Sequence, residues 1–221
     1  MAKKDRKGER KTREQRKNMR VPELGYYIVV TDTEGTERCY FDGLHMELPE
    51  SIWEKLVIKV VETKTADLIE KCIEFASYDP QYRIPWIVFD RDQVKNFDQI
   101  ITEAERKGIN VGWSNPCFEI WMHAYYGTMP NIPESWKCCS NFADIYKSKT
   151  GVEYDKADES LYKKLIQTGD EEKALKLAEQ KHTQCIENGY KIPSQMCPCT
   201  TVYKLVGEIN EKSIKWRNKQ K

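Results

Sequence analysis

An α/β fold is predicted, with a mostly parallel sheet flanked by helices and a helical C-terminal extension, and three observations predict it. Four short runs rich in β-branched and aromatic residues recur along the first half of the chain. Apolar residues at helical spacing fill the intervals after the second, third and fourth runs. Beyond Asn141 the strand signal stops and only helical patterns continue. Strands alternating with helices argue for parallel pairing with helices on both faces.

The elements follow in order. Tyr26-Tyr27-Ile28-Val29-Val30 reads as the first strand, and Thr31 to Glu37 as the polar loop after it. Leu56 to Val61 is the second strand. Leu68, Ile69, Cys72, Ile73 and Ala76 mark a helix over 66–76 that Pro80 closes. Ile84 to Phe89 is the third strand, running into Asp90-Arg91-Asp92. Phe97, Ile100, Ile101 and Ala104 mark an amphipathic helix that ends by Gly108. Ile109 to Trp113 is the fourth strand, and Ser114 to Tyr125 a loop and helix, with Pro116 at a natural helix entry. Helical patterns then cover Phe142 to Lys149, Leu161 to Ile166, Glu171 to Asn188 and Val202 to Lys212, with no strand among them. The organisation expected is an arm over 1–20, an α/β core over 21–135 and a helical extension over 136–221.

Composition bounds what such a chain does. Of 221 residues, 39% are hydrophobic and 32% charged, which excludes disordered and fibrous classes. The longest apolar runs are strand-sized, so no membrane span is expected, and the charged residues after Lys3 and Lys4 give no secretory leader, so a cytoplasmic protein is expected. The net charge of +1 conceals an asymmetry: residues 1–20 carry +7 and the remainder −6. A basic arm on an acidic body suits contact with phosphate backbones, and Arg13, Arg16, Lys17 and Arg20 are its candidate contacts. The eight cysteines contain no Cys-x-x-Cys pair, so buried thiols are expected; a zinc site from Cys138-Cys139, Cys197, Cys199 and His182 is a lesser alternative.

Residues just past the strands of a parallel sheet are the ones placed to meet a ligand. Here they are acidic: Asp32 and Glu34 after the first strand, Asp90 and Asp92 after the third, and Glu119 after the fourth. Carboxylates converging from separate strands repel unless a cation or proton sits among them, and hard oxygen ligands call for magnesium or manganese. If the third strand continues past Asp90, Asp90 and Asp92 share one of its faces. Asn115 either caps the following helix or faces the ligand. His123, one helical turn past Glu119, reads as a core histidine.

The strings Val29-Val30-Thr31-Asp32, Thr36-Glu37-Arg38-Cys39-Tyr40-Phe41, Val88-Phe89-Asp90-Arg91-Asp92, Ser114-Asn115-Pro116-Cys117-Phe118-Glu119-Ile120-Trp121, Tyr154-Asp155-Lys156 and Thr200-Thr201-Val202-Tyr203 together resemble the RloB family over roughly residues 13–210. The Ser114 to Trp121 string is the most specific. The resemblance implies a Toprim-like core of the kind found in metal-dependent nucleases, a place in bacterial anti-phage defence, and a companion ABC- or AAA-type ATPase. It also implies that Asp90 and Asp92 hold magnesium and that an acid after the first strand serves as general acid or base. Asp32-Thr33 stands where RloB-like sequences usually carry Glu-Gly. Asp is one methylene shorter, a deficit of about 1.5 Å on a scale that costs roughly a hundredfold in rate, so Glu34 is a second candidate for that role. Glu119 is the candidate third metal ligand, and Asn115 and Lys156 are candidate contacts to nucleic acid.

Two readings result. One is a magnesium-dependent nuclease acting on nucleic acid, such as transfer RNA, with Asp32 or Glu34 activating water, in an assembly that includes further copies or an ATPase. No Walker A string occurs, so ATP-driven control belongs to a separate subunit. The other is a non-catalytic module that binds nucleic acid or a nucleotide without cutting. A phosphotransfer receiver, which also places acids at strand ends, has no place for the helical C-terminal half.

Overall fold

The computed structural model describes residues 22–32, 35–77, 83–92 and 94–219. Five strands form one sheet: β1 (Gly25–Thr31), β2 (Leu56–Glu62), β3 (Arg83–Asp90), β4 (Asn110–Asn115) and β5 (Cys199–Thr200). Their order is β2-β1-β3-β4-β5, the first four parallel and β5 antiparallel to β4. The helices are α1 (Thr36–Glu47), α2 (Leu68–Ser77), α3 (Phe97–Arg106), α4 (Glu119–Tyr125), α5 (Ser135–Thr150), α6 (Leu161–Thr168), α7 (Glu171–Glu187) and α8 (Val202–Lys219). The predicted α/β class is the one observed.

Alternation along the strands separates two cores. Tyr27 and Val29 of β1, with Trp86 and Val88 of β3, join the larger core, which also takes in residues of α1 and of α4 to α8. Ile28 and Val30, with Ile87 and Phe89, point the other way onto α2, α3, Trp113 and Cys199. Both faces of β1 and β3 are covered, which is why these strands read as unbroken apolar runs. The larger core passes without a break from Tyr27 through Trp121 to Phe142, Leu165 and Val206, so the C-terminal helices share the interior of the sheet they pack on.

Three expectations need correction. The loop after β1 gives way at Thr36 to α1, whose Tyr40, Phe41 and Leu44 are buried at helical spacing. Gly35 makes that entry: its φ of 135° is a conformation open to glycine, and it lies against the backbone of Lys156. Beyond Asn141 a strand does occur, β5, paired with Ser114 and Asn115. Those two residues therefore extend β4 and are not loop. Asn115 caps nothing, since the residue at the N-cap of α4 is Phe118.

Gly43 marks a close approach of helices. A Cβ there would stand 2.7 Å from Cβ of Tyr162, so the bare backbone of α1 lies against the Tyr162 side chain of α6. The space beside it is filled by aromatic rings, with Tyr40 edge-on to Phe41, Phe118, Trp121, Tyr125 and Tyr162. Among the described residues no helix is long and apolar enough to cross a membrane.

Candidate functional site

From β1 the chain leaves to one side to form β2, then returns to the other side to form β3. The carboxyl ends of β1 and β3 therefore flank a crevice where the winding direction reverses, the position at which open α/β sheets take ligands. Asp32 follows β1 directly, and Asp90 is the last residue of β3.

Asp90 is the centre of the arrangement. Its Oδ2 accepts the backbone N–H of Phe118 at 3.2 Å. Burial first, then the charges of Glu37, Asp32, Glu119 and Asp92, push its carboxyl well above the ordinary range. Asp32 is pushed up to about 6, chiefly by burial and further by Asp92, although the hydroxyl of Thr65, 3.3 Å from Oδ2, works the other way. Its Oδ1 is buried with no hydrogen-bond partner among the described residues. A group of acids that pushes two of its members toward the proton-bound form is a group short of positive charge.

Asp92 reaches the same place by another route than expected. The strand ends at Asp90, and Asp92 is exposed on the turn that follows. That turn is fastened to the end of β4: Arg91 N–H donates to Ser114 O at 2.9 Å and Asp92 N–H to Pro116 O at 3.0 Å. Glu37, in the first turn of α1 and 3% exposed, also acts on Asp90, its charge raising the Asp90 carboxyl. It went unassigned as a site residue because its segment reads as loop; Tyr40, Phe41, Leu44 and Leu48 at helical spacing are the signal for the helix that carries it.

Glu119 differs from the other acids. Its Oε1 accepts the Tyr154 hydroxyl at 3.0 Å and lies 3.2 Å from Nζ of Lys156. Burial opposes its charge, but Lys156 and the thiol of Cys139 outweigh burial and hold the carboxyl below the ordinary value. Burial likewise opposes the Lys156 ammonium, and Glu119, Cys139 and Glu37 more than compensate, so it stays charged. The Lys156 side chain is 61% exposed, a cation at the rim with its charge directed at the acids. Tyr154 also meets Thr36 Oγ1 at 3.3 Å, joining this loop to the start of α1.

The remaining candidates separate. Asn115 is buried, and its Nδ2 donates to the carbonyls of Pro193 and Ser194 at 3.2 and 3.3 Å. His123 is wholly buried against the ring of Phe142, with Nε2 3.4 Å from Cys138 O. Glu34, Arg13, Arg16, Lys17 and Arg20 lie outside the described residues. The cysteines group differently from the alternative zinc set: Cys139 meets Cys117, with Sγ atoms 3.7 Å apart, while Cys199 and Cys197 interact with Cys185. His182 is engaged with the Tyr203 hydroxyl at 3.1 Å and the ring of Trp113.

Comparison with known proteins places this architecture. No curated protein and no solved structure matches the chain. A family model described as RloB-like protein matches residues 27–209, well over half of the sequence, from within β1 to within α8, and includes Asp32, Asp90 and Glu119. The chain belongs to the RloB-like protein family.

Proposed function

We propose that this protein is a divalent-metal-dependent phosphodiester hydrolase of Toprim-like type, cutting nucleic acid in an anti-phage defence system. The observation that carries the reading is the convergence of Asp32, Glu37, Asp92 and Glu119 on Asp90 at the crevice between β1 and β3. The donor set fits a hard cation: carboxylate oxygens only, with two of the acids pushed toward their neutral forms by burial and by their neighbours' charge. Asp90 and Asp92, with Glu37 beside them, are the residues that would hold magnesium or manganese, and Asp32 is left for the proton. When bound, such an ion neutralises charge on phosphate oxygens and on the leaving oxygen.

The chain's own groups supply the rest. Asp32, with its carboxyl raised to about 6, is tuned to take a proton from an attacking water near neutral pH, and Oδ1 is the atom free to receive it. We assign Glu119 to positioning: it anchors Lys156, whose ammonium faces incoming phosphate from the rim. The basic residues of the 1–20 arm bind the backbone of the substrate beyond the crevice. Control by an ATPase, as the family resemblance suggests, comes from a separate subunit.

The test is cleavage of mixed transfer RNA and of plasmid DNA by the purified protein with magnesium or manganese, beside an Asp90→Ala, Asp92→Ala double variant. Cleavage by the unaltered protein that disappears in a folded double variant supports the reading and identifies the substrate class. Equal cleavage by both refutes the assignment of the site. Binding without cleavage by either, also with an ATPase partner present, makes the protein a binding module, the reading that Asp32-Thr33 in place of Glu-Gly favours.

A further inference from the structure

Beside Glu119 lie two thiols. Cys117 precedes α4, and Cys139 lies on the first turns of α5. Their Sγ atoms are 3.7 Å apart, and with a Glu119 oxygen they form a triangle in which every ligand atom lies within 4.8 Å of the others. Two sulfurs on one tetrahedral zinc at roughly 2.3 Å lie about 3.7 Å from each other, whereas disulfide-bonded sulfurs lie about 2.0 Å apart. Cys117 and Glu119 are buried and Cys139 partly so. The carboxylate has no freedom to turn away, since Tyr154 fixes its Oε1.

We propose that Cys117, Cys139 and Glu119 form a binding site for a thiophilic divalent cation, zinc in the first instance, separate from the hard-cation set at Asp90. The donors justify the class of metal. Two sulfurs and one carboxylate oxygen match zinc and disfavour magnesium, which takes oxygen ligands almost exclusively. Three protein ligands leave a fourth position for water.

Lys156 is the internal competitor. Its Nζ stands 3.2 Å from Glu119 Oε1 and 4.0 Å from Cys139 Sγ, so it supplies the positive charge that a metal would supply. With most of its side chain in solvent, it can withdraw into water when the metal enters. Charge balances in the exchange: zinc brings two positive charges, the two thiols release two protons to solvent, and the ammonium leaves as a free cation. The metal would join the start of α4 to α5, linking the Ser114 to Trp121 segment to the helical layer by a bond that the sequence spacing hides, since Cys117 and Cys139 are 22 positions apart.

The site is tested with full-length protein stripped of metal by chelation and titrated with cobalt, then zinc. One thiolate-bound cobalt per chain is expected, read from a thiolate-to-cobalt charge-transfer band and the intense visible bands of tetrahedral coordination, both abolished by zinc; cobalt at the oxygen-only set absorbs weakly and is not counted. Cys117→Ser and Cys139→Ser each remove the charge-transfer intensity of one thiolate, Cys185→Ser leaves the spectrum unchanged, and Lys156→Met tightens binding about tenfold by removing the competing cation. Bands that persist in the Cys117→Ser, Cys139→Ser double variant, or cobalt spectra without thiolate character, overturn the proposal. Should the serine variants fail to fold, alkylation of the unaltered protein decides: zinc must slow modification of Cys139 and not of Cys185, and equal rates with and without zinc overturn it. Nucleic-acid cleavage is not read at any step, so failure here leaves the hydrolase reading standing, and failure of that reading leaves this one.

Discussion

Two buried polar centres in this molecule are built on opposite plans. Around Glu171, at the start of α7, every oxygen is met by a donor: the hydroxyls of Tyr125 and Tyr162 reach Oε1 at 2.7 and 2.9 Å, and Nδ2 of Asn210 reaches Oε2 at 2.6 Å. Tyr40 completes the set through Tyr125 at 2.6 Å, so α1, α4, α6, α7 and α8 are joined at one point. Around Asp90 the opposite holds, with four further acids acting on it and the cation Lys156 at the rim directed to Glu119. A buried polar group whose partners are complete secures a fold, whereas one surrounded by like charge costs stability and is kept for what it binds. On this contrast the Glu171 group is a structural centre, and the Asp90 group is the one proposed for function.

The largest expected effect lies at the functional centre. Asp90→Asn should reduce cleavage by about 10²–10³-fold, because it removes charge from the middle of the acidic group. It should leave the thermal midpoint of the metal-free protein unchanged or raised, since repulsion is relieved. A fall in Tm as large as that of a Glu171 variant would erase the distinction between the two centres. Glu171→Leu should do the reverse, costing about 3 kcal/mol in urea unfolding through the stranded donors of Tyr125, Tyr162 and Asn210. Gly43→Val follows at about 1–3 kcal/mol, because the added carbons force α1 away from Tyr162; no loss of stability would show that the two helices are free to separate.

The smallest effect is a pH dependence of the functional centre. Asp32 has its carboxyl raised to about 6, so its burial costs nothing below the ordinary carboxylate range and the full penalty above about 6. Its contribution to stability is therefore lost as pH rises through that window. Unfolding midpoints measured with chelator between pH 4 and 8 should show Asp32→Asn gaining on the unaltered protein as pH rises, and an equal difference at all pH values would contradict the assignment.

Much of this was legible in the sequence. Strands β1 and β3 declare themselves because both faces are buried and the runs are continuously apolar, and β2 and β4 through their β-branched and aromatic residues. Asp32, Asp90 and Asp92 were found by the same logic, as acids at strand ends. Helix α1 was hidden because its buried face includes Thr36, Glu37 and Gly43, which do not read as apolar, and because Gly35 enters it with no side-chain cap. Glu37 was hidden with it. Strand β5, two residues long, has no period to detect. The meeting of Cys117 with Cys139 depends on how α4 and α5 pack, which local spacing does not encode.

The lateness of β5 has a consequence during synthesis. Its partners Ser114 and Asn115 are made some eighty residues before Cys199 and Thr200 emerge. Through that interval β4 presents a row of unpaired amides and carbonyls, a template for pairing with a neighbouring chain on the same message. The finished molecule covers the end of that edge with the two-residue β5 and leaves the longer β2 as the opposite outer strand, where exposed Lys59 discourages the same encounter. The nascent chain, not the mature protein, is thus the form most exposed to self-association, and chaperone demand should peak just before residue 200 clears the ribosome.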